Sequence, residues 1–239
     1  MRHIKLLFFL LFTLLFSIKS NAQSTLTINC SIFSCQENLD SMNITCENLV
    51  TNKIFDVKGK RNKSAKSDSI TRVSMTYEIV LLLQSKYKVT FVQKGCRSLS
   101  LYFDTELPKT EEGEYGLRFN LNLKTLNDSF DTTLKNVQGI LYRYESRTRD
   151  FDYVKNANSL IAEMLYNIGV EKMVKNEFSD AMADYDEALL FNPENINALY
   201  NRGVIKLKLK DNLGACHDWN AIKQSGNSDA DKLLLQFCK

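Results

Sequence analysis

Two sets of residues in this sequence are of types that do chemistry at close quarters: its cysteines and its few acid–base groups. Cys30, Cys35, Cys46, Cys96, Cys216 and Cys238 are six thiols. An even number reads as a disulfide framework in an exported chain and as metal ligands in a cytosolic one. Structural zinc takes a full set of Cys or His ligands, usually including a closely spaced Cys pair. Here the nearest pair, Cys30 and Cys35, has four residues between its members, and the sole histidine beyond residue 22 is His217. Disulfides are the better reading, and no metal is expected. Nucleophilic catalysis needs a base beside its nucleophile. His217 precedes Asp218, but on a helical stretch, where both read as ordinary helix residues. Glu111, Glu112 and Glu114 formally offer the carboxylates of a glycosidase, yet they cluster in a turn-like segment and read as a solvated loop. The nine glycines are dispersed, without a phosphate-cradling loop. The chain is therefore expected to be non-enzymatic, with no catalytic, cofactor-binding or metal site.

Which disulfides can exist depends on compartment, and the first residues address that. Arg2, His3 and Lys5 precede an apolar run from Leu6 to Phe16, broken by Thr13, and Ser20-Asn21-Ala22 supplies small residues for a peptidase. This is the pattern of a secretory signal peptide; the run is well short of the roughly 20 residues that span a bilayer. Cleavage after Ala22 also resolves the charge. The 239 residues carry 31 basic and 28 acidic groups, but the surplus, Arg2, Lys5 and Lys19, lies wholly in the leader. The remainder is neutral, so a nucleic-acid partner, which needs phosphate neutralisation, is not expected. No later stretch has the length and apolarity of a transmembrane segment.

The elements that must position these residues fall into two halves. Up to about Leu126, polar and apolar residues alternate in short segments: Thr25 to Cys30, Lys88 to Val92, Leu99 to Phe103 and Leu117 to Leu123. Period-two alternation predicts strands with one buried face. Turn-forming clusters separate them at Lys60 to Asp68, at Lys94-Gly95 and at Pro108 to Gly116. Short strands between turns predict an antiparallel β-sandwich over 23–145. Gly139 to Tyr144 reads as its last strand, and 146–161 as a linker with a lead-in helix from Tyr153. From there the period is helical. Leu165-Tyr166-Asn167-Ile168-Gly169 recurs as Leu199-Tyr200-Asn201-Arg202-Gly203 at an offset of 34 residues; Ala181 recurs as Ala215, Tyr185 as Trp219.

That period is the tetratricopeptide spacing, and the segment resembles two tetratricopeptide repeats, 162–195 and 196–227, with a capping helix over 228–239. Gly169, Gly203, Ala181 and Ala215 would permit close helix approach, Tyr185 and Trp219 would fill the space between units, and Pro193 would break the chain between them. Ile222 departs from the pattern, standing where a small residue is usual. Repeat arrays need a polar-faced end unit, and Leu233, Leu234 and Phe237 would give the cap its apolar face. Gly214-Ala215-Cys216-His217-Asp218-Trp219 followed by Phe237-Cys238 resembles the closing repeat of exported tetratricopeptide proteins of Gram-negative bacteria. The resemblance implies that Cys216 and Cys238 sit on adjacent helices and bridge, closing a loop worth about 3 kcal/mol. It also implies a peptide-binding groove. Tyr166, Asn167, Val170 and Met173 would face it from one repeat, and Tyr200, Asn201, Val204 and Lys208 from the next. Tyrosine offers contact area and asparagine can bond a peptide backbone; the alternative is that Asn167 and Asn201 support the packing of the helices.

In the first half, Tyr87 to Cys96 followed by Leu101-Tyr102-Phe103-Asp104-Thr105 resembles the last strands of a carboxypeptidase-regulatory-like (transthyretin-like) sandwich, with Cys96 replacing the usual aromatic. Cys30, Cys35, Cys46 and Cys96 allow three pairings, among which the sequence does not choose. The expectation is an exported β-plus-α protein of the Gram-negative periplasm or outer membrane, a scaffold or adaptor for protein or peptide partners. The alternative is a recognition module whose sandwich binds glycan or peptidoglycan.

Overall fold

The computed structural model describes residues 24–33, 42–57, 59–62, 74–93, 98–111, 113–122, 139–154 and 157–238. Residues 1–23, which include the expected signal peptide, Cys35, Cys96, Glu112 and the turn cluster at Lys94-Gly95 lie outside them. A β-rich part is followed by helices. One sheet has the order β4 (Gly59–Asn62), β5 (Ser74–Leu82), β1 (Thr25–Phe33), β8 (Glu114–Asn122). The other has the order β10 (Asp150–Val154), β9 (Ile140–Glu145), β7 (Leu99–Asp104), β6 (Lys86–Gln93), β2 (Met42–Asn48), β3 (Lys53–Asp56).

The alternation read from the sequence decides which side chains are inside. Leu26, Ile28 and Cys30 of β1 and Tyr77, Ile79 and Leu81 of β5 share one apolar cluster with Ile44, Cys46, Val89, Phe91, Leu101 and Phe103 of the second sheet. The two sheets thus bury their inner faces in common. Cys30 and Cys46 are free thiols in this core, which removes them from the disulfide pairings left open above. Burial pushes their thiols up, to about 11 and about 12, so both are poor nucleophiles.

Three features differ from the expected antiparallel sandwich and linker. First, β1 pairs with β8, and β7 with β9, in parallel. Alternation marks a buried face but says nothing of the neighbour or its direction, and parallel partners are necessarily distant in sequence. Second, β4 is a strand at the start of the cluster expected to be a turn, paired antiparallel with β5 at the sheet edge. Third, the expected linker contains a strand. Residues 146–149 turn, and β10 returns along β9 in register Asp150↔Glu145 to Val154↔Leu141. Phe151 explains this: it is buried against Tyr115 and Tyr144, with ring centroids 5.5 and 5.8 Å away. Such an anchor escapes notice in a segment this charged.

The helices are α1 (Asn158–Val174), α2 (Phe178–Phe191), α3 (Ile196–Lys208), α4 (Asn212–Gln224) and α5 (Asp231–Phe237). The lead-in helix therefore starts at Asn158 rather than Tyr153. The helix pairs α1–α2 and α3–α4 repeat one another. Asn176 and Lys210, 34 residues apart, both adopt left-handed φ, 63° and 68°. Each follows a helix end closed by a bond from the next amide back to a lysine carbonyl, Glu177 N to Lys172 O at 3.0 Å and Asp211 N to Lys206 O at 2.9 Å. This is a left-handed helix cap. It turns each chain into its second helix, and in α4 Asp211 then caps the start by accepting from Gly214 N.

Within each pair a glycine lets an aromatic ring lie against the helix backbone. A Cβ on Gly169 would sit 2.6 Å from the Tyr185 ring, and one on Gly203 would sit 2.4 Å from Trp219 Nε1. Both rings are fully buried. Gly203→Ala gains helix propensity of about 1 kcal/mol but must displace an indole with no room to move. It is expected to destabilise by ~1–3 kcal/mol net, read as a lowered urea midpoint. Gly116→Ala, where a Cβ meets nothing within 4 Å, should leave the midpoint within about 0.5 kcal/mol of wild type.

Candidate functional site

The helical units place the residues expected to form a groove on α1 and α3, which touch each other. Tyr166, Val170, Met173, Tyr200, Asn201 and Val204 are half-buried, while Asn167 and Lys208 are exposed. Several also serve the packing. Asn201 donates to the hydroxyls of Tyr166 and Tyr185 at 3.5 and 3.4 Å, tying α3 to the preceding unit. The Tyr185 hydroxyl donates to the Met173 sulfur at 3.8 Å, and the Tyr166 ring lies 5.9 Å from that of Tyr185. Burial pushes the Tyr185 hydroxyl up to about 12. The Tyr200 carbonyl accepts from Trp219 Nε1 at 3.4 Å. Lys208 places its ammonium 5.5 Å from the centre of the Phe178 ring. The two asparagines thus diverge: Asn201 is engaged between units, while Asn167 faces solvent.

Two further sites were not anticipated. One is a pair of lysine–aspartate contacts at buried aspartates. Lys172 Nζ lies 2.8 Å from Asp184 Oδ2, and Lys206 Nζ lies 2.8 Å from Asp218 Oδ2, each contact bridging the two helices of its unit. Lysine and aspartate recur at the 34-residue offset, so the same alignment that matched the glycines carried this signal. Their electrostatics differ. Among the described residues Asp184 has one cationic partner. Burial raises its pKa, Lys172 offsets this in part, and the result is about 6. Asp218 is more favoured as an anion. Burial pushes it up, but Arg202 and Lys206 outweigh this and hold it below the ordinary carboxylate value. Arg202 grips both Asp218 oxygens, at 2.9 and 2.6 Å, and reaches Asp186 of the preceding unit at 2.6 Å. At the corresponding place in the first unit stands Ile168. Arg202 is thus a clamp between units.

That clamp also bears on catalysis. Asp218 is fully buried with its oxygens occupied by cations, and the side chain of His217 is 84% exposed, 3.8 Å away. The aspartate is not placed to orient a catalytic imidazole. Glu111 accepts from Arg149 at 2.9 Å, joining the loop before β8 to the β9–β10 turn. Among the described residues, no group of three or more His, Cys, Asp or Glu is arranged to hold a metal ion.

The other unanticipated site is the junction of sheet and helices. Glu187 of α2 accepts from Lys88 of β6 and from the Tyr102 hydroxyl of β7. Burial, then the Glu187 charge, pushes the Tyr102 hydroxyl strongly up, so it stays a donor. The Tyr102 ring meets Phe191 edge-on at 5.4 Å. Leu49, Tyr102 and Leu141 join one cluster with Ile161, Ala188 and Phe191. Asn52 donates to Asp180 at 2.7 Å, and Gly139 N to Asn158 Oδ1 at 2.7 Å. The junction therefore occupies α2 and the first turn of α1.

Cys216 of α4 and Cys238, just after α5, form a disulfide with Cα atoms 5.6 Å apart. Helix α5 is shorter than the expected 228–239. Ser228 to Ala230 form the approach to it, and the helix starts at Asp231 without a side-chain cap. Compared with known proteins, the chain matches no protein-family model and no curated protein.

Removing one member of a buried ion pair strands the other. Lys172→Met should cost about 3–5 kcal/mol in urea unfolding, and the double change Lys172→Met/Asp184→Leu should recover most of it. The pH dependence has a definite sign. Folded Asp184 holds its proton up to about pH 6, whereas its ordinary value is 3.8. Between these the folded state binds more protons, so raising pH costs stability. Wild type should lose stability relative to Asp184→Asn as pH rises from about 4 to about 6; a flat or opposite trend in paired urea titrations contradicts this.

Proposed function

We propose that the chain is a non-enzymatic scaffold or adaptor of a bacterial cell envelope, in which two tetratricopeptide repeats, α1–α2 and α3–α4 with α5 as cap, hold a peptide or protein partner on the α1/α3 face. The two sheets act as a carboxypeptidase-regulatory-like sandwich that supports the array. One observation carries this reading: the two units repeat in helix ends, left-handed cap, glycine–aromatic contact and lysine–aspartate pair, while the sheet junction occupies α2. The side of the array left for a partner is then the one bearing Tyr166, Asn167, Val170, Tyr200, Val204 and Lys208. Its chemistry suits a peptide. Tyrosines and valines supply contact area at modest entropic cost, and Asn167 offers an amide to a backbone.

Export supports the envelope setting. The leader has the three parts of a signal peptide, and a disulfide such as Cys216–Cys238 persists in oxidising compartments. Among the described residues no helix is long and apolar enough to cross a membrane. The neutral charge of the chain beyond Ala22 leaves shape and hydrogen bonding, rather than field attraction, to select partners.

The test is a crosslinking pull-down with mass spectrometry from the native envelope, comparing wild type with Tyr200→Ala/Lys208→Glu. The double variant should lose the partners that wild type retains. If it keeps every one, the α1/α3 face is not the binding surface; if the retained material is peptidoglycan, recognition belongs to the sheets.

A further inference from the structure

Helix α5 has an unusual dependence on one covalent bond. It is seven residues long and lacks a side-chain cap at its start, and isolated helices of fewer than about 12 residues are marginal in water. Its apolar hold is small. Ala230 and Leu234 are buried against the α4 face, with Leu233 and Cys238 partly so, whereas Leu235 is 76% exposed and Phe237 37%. Its ion pair, Lys223 with Asp231, is long at 3.6 Å, makes no hydrogen bond and joins side chains that are largely exposed, although Asp231 Oδ1 itself is shielded; such pairs contribute little. The remaining ties are the contact of the Phe237 ring with Trp219 and the disulfide. Cys216 and Cys238 are both partly exposed, unlike Cys30 and Cys46, which are wholly buried.

We propose that Cys216–Cys238 is a reducible latch: reduction by a dithiol frees α5 and uncovers the apolar face of α4 formed by Ala215, Trp219 and Ile222, while the sheets and the other helices stay folded. In the step, a thiolate of the dithiol attacks one sulfur of the bond, forming a mixed disulfide and expelling the other sulfur as a thiolate. The second thiol of the reagent then resolves the mixed disulfide. Two protein thiols and one oxidised dithiol result, a two-electron exchange. Losing the loop constraint shifts the closed–open balance of α5 by roughly a hundredfold toward open. With so little else holding the helix, this suffices to release it.

The chain contains its own reporters. Trp219 is the one tryptophan, fully buried and 6.2 Å from the Phe237 ring. Cys30 and Cys46 report on the core. The oxidised full-length protein is treated with dithiothreitol under native conditions, then followed by tryptophan emission, by hydrogen exchange and by iodoacetamide labelling resolved per cysteine. The expected result is a red-shifted Trp219 emission, loss of exchange protection over 228–238, and labelling of Cys216 and Cys238 with Cys30 and Cys46 unlabelled. Cys216→Ser/Cys238→Ser should show the same emission and exchange without reductant, which ties the effect to this bond. Reoxidation of the wild type should reverse it. The proposal is overturned if Cys216 and Cys238 resist reduction, if emission and exchange stay at their oxidised values once both are reduced, or if Cys30 and Cys46 label alongside them, which means global unfolding.

Discussion

The close approach of a glycine backbone to an aromatic ring sets the geometry of the helical half. At Gly169 and Gly203 a methyl group would collide with Tyr185 and Trp219, so each helix pair meets at a distance that only a bare backbone permits. That distance has consequences along the pair. It brings Lys172 within reach of Asp184 and Lys206 within reach of Asp218 across the same two helices. It presents the Tyr185 hydroxyl to Asn201 of the next unit and the Trp219 ring to Phe237 beyond. Contacts within a unit and contacts between units therefore share one ring per unit.

The second organising contact is between the halves. Glu187 receives a lysine and a tyrosine from neighbouring strands, and Phe191 seats on the same tyrosine. An apolar cluster running from Leu49 and Leu141 to Ile161 and Phe191 gives this junction the character of a small core rather than a tether. Its placement has a functional consequence under the proposed reading. It occupies α2 and so leaves the α1/α3 side for a partner.

Much of this was legible in the sequence, and the reasons for success and failure are physical. Local periodicity follows from local geometry, so the strands at Thr25, Lys88, Leu99 and Leu117, the helices and the 34-residue recurrence could be read directly. The lysine–aspartate pairs were equally periodic but escaped notice, because charged residues on helices are ordinarily solvated and carry no apolar signature. Strand direction was not legible: the pairing of β1 with β8 joins residues far apart in the chain. The junction was hidden for the same reason, since Lys88 and Glu187 are 99 residues apart. Strand β10 was masked by the charges around Phe151, a single buried ring in a polar run. Among the residues expected to line a groove, Tyr166 and Asn201 show how one signal serves two ends. Their spacing is compatible with a binding face, and their bond also holds the units together.

Under the proposed function, partners meet the α1/α3 side of the array. Site-specific photocrosslinking in the native host cell reads this contact. A photoreactive phenylalanine analogue is placed at the exposed Asn167 of α1 or at Leu190 of α2, which is 60% exposed. A discrete crosslinked partner is expected from position 167 and none from position 190. Crosslinks from 190 with none from 167 would contradict it.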